Sequence, residues 1–237
     1  MTIVLPLGPN PGNTYLQLAQ RLRQEVGAAG TGPSSVVAQT GEYKRIVDYL
    51  ADADQELQQE HDNWKFMVNT FAINTIVGVA AYPATACLLP VYDLRSWRDR
   101  TIKAYLLSAG LGDESELRFI DYDAWYVMYG TGPQTNSRPI HYTIGNENEL
   151  LIGPLPMDVY RISGEYQRSV TRLSADTDVP VYPPEFQLLP VYSGMRKYGF
   201  YTGAVEVIQN GDALYKKMMR RMERSQLPRM NHLIPLA

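Results

Sequence analysis

The sequence contains 237 residues, 45% of them hydrophobic and 20% charged, a balance typical of a folded globular protein rather than a disordered one. Its net charge is −3, and its single cysteine, Cys87, excludes an intrachain disulfide and a cysteine-based zinc cluster. The N-terminal apolar run lacks a basic lead and is broken at Pro6, and no apolar run is long enough to cross a bilayer. We therefore expect a protein made in a cytoplasm without a membrane anchor.

The chain is predicted to begin with an extended arm and a helix. Residues 1–13 contain three prolines and two glycines, a composition that favours the arm. The first helix is predicted over residues 14–26. Asn13 or Thr14 is its candidate N-cap, and Gly27 is its stop signal.

A second helix is predicted from Thr40, as its N-cap, through Trp64. Its apolar residues fall at helical spacing and form a stripe that needs a partner surface to cover it. The stripe consists of Tyr43, Ile46, Val47, Leu50, Ala53, Leu57 and Trp64.

The middle of the chain is predicted to be rich in β-structure. Residues 66–73 and 101–107 have the pattern of strands, and residues 121–129 are typical of a short helix laid across them. Three further strands are expected at 140–145, 149–153 and 158–166, joined as an antiparallel meander by Asn-Glu-Asn and Pro-Leu-Pro. In the last of them one face is expected to be buried and the other wet. The buried face holds Tyr160, Ile162 and Tyr166, and the wet face holds Arg161, Ser163 and Glu165.

Helices are predicted again near the C-terminal end, over residues 184–201, with a bend at Pro190, and over residues 204–225. The fold class is therefore α+β, because no βαβ alternation occurs. We expect a helical bundle formed by N- and C-terminal helices, with an inserted antiparallel β domain that is a sandwich or barrel-like. The predicted organisation is an arm at 1–13, a helical domain at 14–65 and 182–225, a β-rich domain at 66–181 and a C-terminal tail at 226–237.

The sequence offers no convincing catalytic or metal-binding constellation. The three histidines, His61, His141 and His232, are far apart without an HxxxH or HExxH pairing. A phosphate-binding GxxxxGK[ST] loop and a GxSxG elbow are both absent. Glu56 and Glu60 lie one helical turn apart, but glycosidase carboxylates normally come from separate elements across a cleft. We therefore predict no catalytic residue, no metal and no cofactor.

The last predicted helix has a basic side. From Lys216 to the end the chain has six basic residues and one acid, a local charge of +5 that leaves −8 on the remainder. At about 100° per residue the basic residues of the helix cover one side and its apolar residues the other. The basic side holds Lys216, Lys217, Arg220, Arg221 and Arg224, and the apolar side holds Leu214, Tyr215, Met218, Met219 and Met222. A solvated surface is the usual explanation, and contact with DNA phosphates or with an acidic protein rim is the functional alternative.

The residues after this helix are predicted to be a partner-binding tail. A Leu-Pro pair leads out of the helix, and Arg229 extends the basic residues as a further candidate contact with DNA or a partner protein. The apolar residues that follow are too few for a core and would be a liability in water. These candidate anchors are Met230, Leu233, Ile234 and Leu236.

Several stretches, taken in order, are similar to a known family. They are YLQLAQRLRQEVG, GTGPSSVVAQTGEYKRIVDYLADADQELQQEHDNWKFM, DLRSWRDRTIKAYL, DESELRFIDYDAWYVMY, RPIHYTIGNENELLIGPLP with GEY, and YGFYTGAVEVIQNG with QLP. Their order and spacing, over roughly residues 14–228, resemble the head-to-tail adaptor proteins of tailed bacteriophages, those of short-tailed phages in particular. The departures are Pro190, the arm at 1–13 and the tail after Pro228.

The resemblance implies a structural protein of the virion neck rather than an enzyme. In such adaptors a ring of twelve copies docks beneath the portal protein at the capsid vertex. The ring extends the DNA channel to the tail nozzle or tail-tube protein and carries the tail fibres. The expected partners are therefore the portal, the nozzle or tube, the fibres, neighbouring copies and non-specific DNA passing through the channel, with no membrane. The tail anchors are expected to lie in a groove of the portal or of an adjacent copy.

Two other functions remain open at this point. A neck protein with an added cell-wall-degrading activity would need an acid pair across a cleft, and a muropeptide-release assay would detect it. A carbohydrate-binding module would need aromatic side chains lining a groove, and a glycan array would detect it.

Overall fold

The computed structural model of the chain describes residues 12–87, 89 and 93–228. The fold is α+β, and contacts divide the chain into two compact units. Among the described residues, the helical unit comprises those up to Met67 and those from Val170 onward, and the β unit comprises those from Val68 to Ser169. Within the described residues, no helix is both long enough and apolar enough to cross a membrane.

Five α-helices are present in the described residues. They are α1 (Tyr15–Glu25), α2 (Gly41–Gln59), α3 (Tyr122–Trp125), α4 (Leu189–Thr202) and α5 (Val205–Gln226). All except α3 belong to the helical unit, where α4 packs against α5, α2 and α1. A π-helical turn, Tyr126–Gly130, continues α3, and the prediction of a short helix over 121–129 is confirmed.

Helix α1 begins and ends at the predicted signals. The Gln17 backbone N–H donates to Thr14 Oγ1 at 3.3 Å, and the Thr14 N–H donates to Gln17 Oε1 at 2.9 Å. This reciprocal capping box satisfies two backbone donors that the first helical turn leaves open. The helix stops at Gly27, whose φ of +68° favours glycine.

Helix α2 is shorter than predicted. Thr40 is its N-cap, but the Thr40 side chain makes no capping hydrogen bond, and the helix ends at Gln59 rather than at Trp64. The fully buried Trp64 turns back on the helix, and its indole N–H donates to the Leu57 carbonyl at 3.1 Å. The predicted helix was too long because Trp64 is apolar and at helical spacing, although it lies after a turn. A buried residue after a turn has the same hydrophobic character as one on the helix.

The bend predicted at Pro190 is wrong. A separate 3-10 turn, Pro184–Phe186, comes first, and α4 begins only at Leu189, so Pro190 lies in its first turn. A proline is tolerated there because the first-turn N–H groups have no partner within the helix. The prediction for α5, over 204–225, is confirmed.

The helical unit has two apolar cores. The first joins α1, α2 and α4 and includes Leu18, Leu22, Ile46, Leu50, Val191 and Met195. The second joins the end of α2, the segment before α4 and the C-terminal half of α5. It includes Leu57, Trp64, Tyr182, Phe186, Leu189, Met219 and Met222.

The β unit consists of two sheets. The strands are β1 (Val68–Asn74), β2 (Ala81–Tyr82), β3 (Leu94–Trp97), β4 (Lys103–Leu106), β5 (Ser115–Glu116), β6 (Arg118–Phe119), β7 (His141–Ile144), β8 (Leu150–Gly153) and β9 (Tyr160–Arg168). One sheet has the order β1-β9-β4-β5, with β3 also paired to β9, and the other has the order β2-β8-β7-β6. The pairs are antiparallel except β6–β7, and the described strands form no closed barrel.

The predicted three-stranded meander is wrong in its last strand. Strands β7 and β8 pair, but β9 leaves them and pairs with β1 along seven residues and with β4 along four. The period-2 pattern of β9 defines which face is buried but not which strand lies beside it. The predicted buried face is confirmed, with Tyr160, Ile162 and Tyr166 at most 3% exposed.

Both sheets contribute to one core. The first sheet and its flanks supply Phe71, Ile73, Trp97, Ile102, Ala104, Ile162 and Tyr166, and the second supplies Tyr82, Tyr142, Leu150 and Ile152. Gly164 shares the buried face of β9, and a Cβ there would lie 2.9 Å from a Phe71 ring carbon. The missing side chain therefore makes room for the Phe71 ring between the sheets.

Candidate docking surfaces

Helix α5 exposes the basic side that the sequence predicted. Its five cationic side chains all belong to exposed residues: Lys216, Lys217, Arg220, Arg221 and Arg224. One of them is paired within the chain, because Lys216 Nζ lies 2.5 Å from Asp212 Oδ2. The other carboxylate oxygen, Asp212 Oδ1, lies 3.7 Å from Arg196 Nε. The hydrogen bond from Lys216 lowers the pKa of Asp212. Within the part of the chain that the structure describes, the other four make no ion pair.

The apolar side of α5 divides into two parts. Met219 and Met222 are buried in the second helical core. Leu214, Tyr215 and Met218 are only half-buried. A helix covered on one side by its neighbours would bury all five, so part of this side stays open.

The open part forms a groove between α4 and α5. Tyr192 of α4 and four residues of α5 line a cavity of about 160 Å³. We call this cavity the α4–α5 groove, and its lining residues are Tyr192, Leu214, Lys217, Met218 and Arg221. Two of the four unpaired cations therefore stand at the edge of an apolar surface.

A different kind of surface lies at one end of the β unit. It is built from the loops at residues 75–80, 106–112 and 153–157, none of which contains a charged residue. The first and third loops are joined by a hydrogen bond from the Gly78 N–H to the Pro156 carbonyl at 3.0 Å. The second loop is bound beside the third, where the Leu107 N–H donates at 3.0 Å to the carbonyl of Val159, which follows Asp158. We call this end the uncharged tip. Its exposed large apolar residues are Ile76, Val77, Leu107, Leu111 and Met157, of which Leu111 is 71% exposed.

The uncharged tip is held in place by charged residues behind it. Asp113 accepts a hydrogen bond from the Leu106 N–H at 2.8 Å and another from Arg138 at 2.7 Å. The Arg138 hydrogen bond, followed by that of Leu106, lowers the pKa of Asp113. Sequence reasoning missed this surface, although three loops without charge between strands were a readable signal, since loops are usually polar.

The comparison with known protein families decides what kind of protein carries these surfaces. A family model described as the SU10 adaptor protein matches residues 13–232. The chain belongs to the SU10 adaptor protein family. The predicted relationship to bacteriophage head-to-tail adaptors is thereby confirmed. No curated protein matches the chain.

The family implies a structural role for this adaptor, in contact with other components of a phage particle. The two carboxylates that could imitate a catalytic pair, those of Glu56 and Glu60, belong to α2 and its C-cap. Glu56 forms an ion pair with Lys197 at 2.7 Å, and Glu60 is exposed at the C-terminal end of the same helix. The pair stays on one helix and does not span a cleft.

The two histidines among the described residues, His61 and His141, have packing partners. His61 meets Trp64 edge-on at 4.8 Å between ring centroids, and its Nε2 lies 3.4 Å from Glu223. His141 Nδ1 is 2.8 Å from the Tyr129 hydroxyl. Burial lowers the pKa of His141, with a smaller effect from Arg118. The described residues contain no group of three His, Cys, Asp or Glu side chains that could hold a metal ion.

The aromatic side chains of α3 and its π-helical turn lie beside one another. The ring centroids of Tyr122 and Tyr126 are 6.3 Å apart, and those of Trp125 and Tyr129 are also 6.3 Å apart. Trp125 is only 7% exposed. Trp125 is therefore covered, whereas Tyr126 is 48% exposed.

The predicted tail anchors lie outside the described residues. These are Met230, Leu233, Ile234 and Leu236, together with Arg229 and His232. Their role, like that of the basic side of α5, stays a prediction.

Proposed function

We propose that this adaptor assembles in the virion neck as a ring of twelve copies beneath the portal. The ring extends the DNA channel through which the genome leaves and attaches the tail nozzle and fibres. The observation that carries the proposal is the family match over residues 13–232. Two surfaces of opposite chemistry, one on each unit, support a protein that joins two different partners.

The basic side of α5 is the proposed portal contact. Exposed cations without partners of their own attract an acidic protein surface and speed its approach. The predicted tail begins just after this helix, and a short apolar segment laid into a groove of the portal would add affinity to that electrostatic attraction. The tail and the basic side together would thus form one continuous docking region.

The uncharged tip is the proposed contact with the tail nozzle. Charged residues are depleted at the centres of protein interfaces, and five exposed aliphatic or thioether side chains at one end form an apolar surface of the kind that marks an interaction site. A DNA contact is disfavoured there because the tip offers no cation to a phosphate.

We expect the ring to form through heterologous contacts, in which one surface of each copy binds a different surface of the next. Such contacts give a closed ring when the rotation between neighbouring copies is a whole fraction of 360°. We expect the purified adaptor to be monomeric until it meets the portal. The test is electron cryo-microscopy of purified portal rings mixed with the adaptor. We expect a closed ring bound to one face of the portal, and an open or absent assembly would refute the proposal.

Charge-reversed variants test the portal contact. Changing Arg220, Arg221 and Arg224 together to Glu should slow docking on portal rings, most strongly at low salt, because salt screens exposed charges. The matched variant with all three changed to Lys keeps the charge and should dock like the wild type. Equal docking by the Glu and Lys variants would remove the basic side from the portal contact.

Truncation tests the tail. Ending the chain after Pro228 should leave the unfolding free energy unchanged and increase the rate of dissociation from portal rings. If the shortened adaptor stays bound as long as the full chain, the tail is not an anchor.

Polar variants test the uncharged tip. Changing Ile76, Leu111 and Met157 to Ser should weaken binding to the purified nozzle protein and leave portal docking unchanged. The control changes Val127 and Met128 to Ser, since both are exposed apolar residues of the same unit outside the tip. Equal losses in the two variants would show a general effect of surface polarity.

Muropeptide release tests the enzymatic alternative. Because Glu56 and Glu60 are on one helix, the variant with both changed to Gln should behave in the assay like the wild type. A wall-degrading activity that disappears in this variant while the fold persists would contradict a purely structural role.

A further inference from the structure

We propose that the α4–α5 groove binds an acidic amphipathic segment of a partner protein. One apolar side chain of that segment would rest on Tyr192, Leu214 and Met218, and a neighbouring carboxylate would pair with Lys217 and Arg221. The inference rests on the proposed function for the partner's identity, the portal. It goes further in naming the chemistry of the bound segment and in assigning the site to protein rather than to DNA.

The floor of the groove is apolar and its walls are held close together. Leu214 and Met218 are one helical turn apart on α5, and Tyr192 faces them from α4. The helices approach closely at Gly211, where an added Cβ would lie 3.0 Å from both Met195 Cβ and the Tyr192 carbonyl oxygen. The spacing of the two walls is therefore set by backbone contact rather than by mobile side chains.

The rim of the groove carries positive charge that nothing in the described residues balances. Lys217 and Arg221 are also one turn apart, alongside Met218. Their neighbour Lys216 differs, because it is paired with Asp212. A carboxylate placed at the rim would form charge-assisted hydrogen bonds with the two unpaired cations.

The combination of floor and rim favours a peptide over DNA. Phosphates could satisfy Lys217 and Arg221 but would leave the apolar floor without a matching group, since DNA binding of this kind uses the charged backbone. The cavity of about 160 Å³ has the size that accommodates a benzene-sized apolar group, judged by engineered cavities of about 150 Å³ in other proteins. A segment with a large apolar residue next to Asp or Glu would fill both parts.

The test measures the affinity of the full-length adaptor for purified portal protein at low and at physiological salt. Met218→Ser should weaken binding by about tenfold at both salt concentrations, since it removes apolar contact area. Lys217→Met and Arg221→Met should weaken binding at low salt and reduce its salt dependence. Lys44→Met is the matched control, because Lys44 is an exposed lysine of α2 outside the basic side of α5 and is already paired with Asp48, and it should bind like the wild type.

The same variants are measured against double-stranded DNA, and unfolding curves confirm that each variant folds. If Met218→Ser binds the portal with wild-type affinity while Arg220, Arg221 and Arg224 reversal still weakens it, the groove is not the binding site, although the proposed function stands. Losses confined to DNA binding would overturn the inference in favour of a DNA contact. If wild-type adaptor does not bind portal at all, the proposed function itself fails.

A photo-crosslinking amino acid at Leu214 provides a second readout that does not depend on affinity. In the assembled portal complex it should label a portal peptide containing Asp or Glu beside a large apolar residue. Labelling of a basic or wholly polar peptide, or of DNA, would overturn the inference.

Discussion

Replacing the buried Asp54 with Asn should flatten the pH dependence of the adaptor's stability between pH 4 and pH 7. Asp54 lies on α2 and is fully buried, and its carboxylate accepts hydrogen bonds from the Tyr182 hydroxyl at 2.8 Å and from Gln58 Nε2 at 2.7 Å. Burial raises the pKa of Asp54 from 3.8 to about 6, although the two hydrogen bonds oppose the shift.

The magnitude follows from the difference in pKa between the folded and unfolded chain. Each pKa unit corresponds to about 1.4 kcal/mol, so a rise from 3.8 to about 6 costs the folded state about 3 kcal/mol at neutral pH. The folded state binds the proton more tightly than the unfolded state. This contribution to stability is therefore fully present below pH 3.8 and is lost as the pH rises through about 6.

The assay compares urea unfolding of wild type and Asp54→Asn from pH 4 to pH 8. As the pH falls from 7 to 5, the free energy of unfolding of the wild type should rise by about 1 kcal/mol relative to that of the variant. By pH 4 the relative rise should be about 2 kcal/mol. Glu60→Gln, an exposed change at the C-terminal end of the same helix, controls for loss of a negative charge. A difference between wild type and Asp54→Asn that stays constant over this range would refute the reasoning, as would a Asp54 carboxyl NMR signal that titrates below pH 4.5.

Three further predictions test the fold around the two surfaces. Gly199→Ala should destabilise the helical unit by about 1–2 kcal/mol, because the new Cβ would lie 2.7 Å from Ile208 Cγ1. This overpacking outweighs the better helix propensity of alanine. The control in urea unfolding is Gly112→Ala, whose new Cβ would meet no atom within 4 Å. Tyr166→Phe should cost about 1–3 kcal/mol, because its hydroxyl donates to the buried Asp93 at 2.7 Å, and Tyr105→Phe in the same sheet should cost less in the same measurement. Arg138→Ala should speed amide hydrogen exchange at 107–112. In the wild type, protection there should persist at pH 5. The pKa of Asp113 is lowered in the folded chain, so its carboxylate stays charged and stabilising until the pH falls through that lowered value.

Much of the helical structure could be predicted from the sequence because its signals are local. The start of α1 depends on Thr14 and Gln17, which are three residues apart, and its end depends on Gly27. The basic side of α5 was likewise readable, because helical periodicity alone decides which side chains share a face. Family membership was also readable, since it rests on the order of short stretches along the chain.

The pairing of β9, the α4–α5 groove and the uncharged tip depended on the tertiary structure. Alternation along β9 defined its buried face, but its neighbours β1 and β4 come from distant parts of the sequence, and local patterns carry no information about distant partners. Residues that are apolar in sequence, such as Met218 and Met219, differ in burial only because α5 meets its neighbours on part of that side. Likewise Ile76, Leu111 and Met157 come from three separate loops, which long-range hydrogen bonds to Pro156 and Val159 hold at the same end of the β unit. Sequence thus determined which residues have the character to bind, and long-range packing decided which of them stay exposed and adjacent.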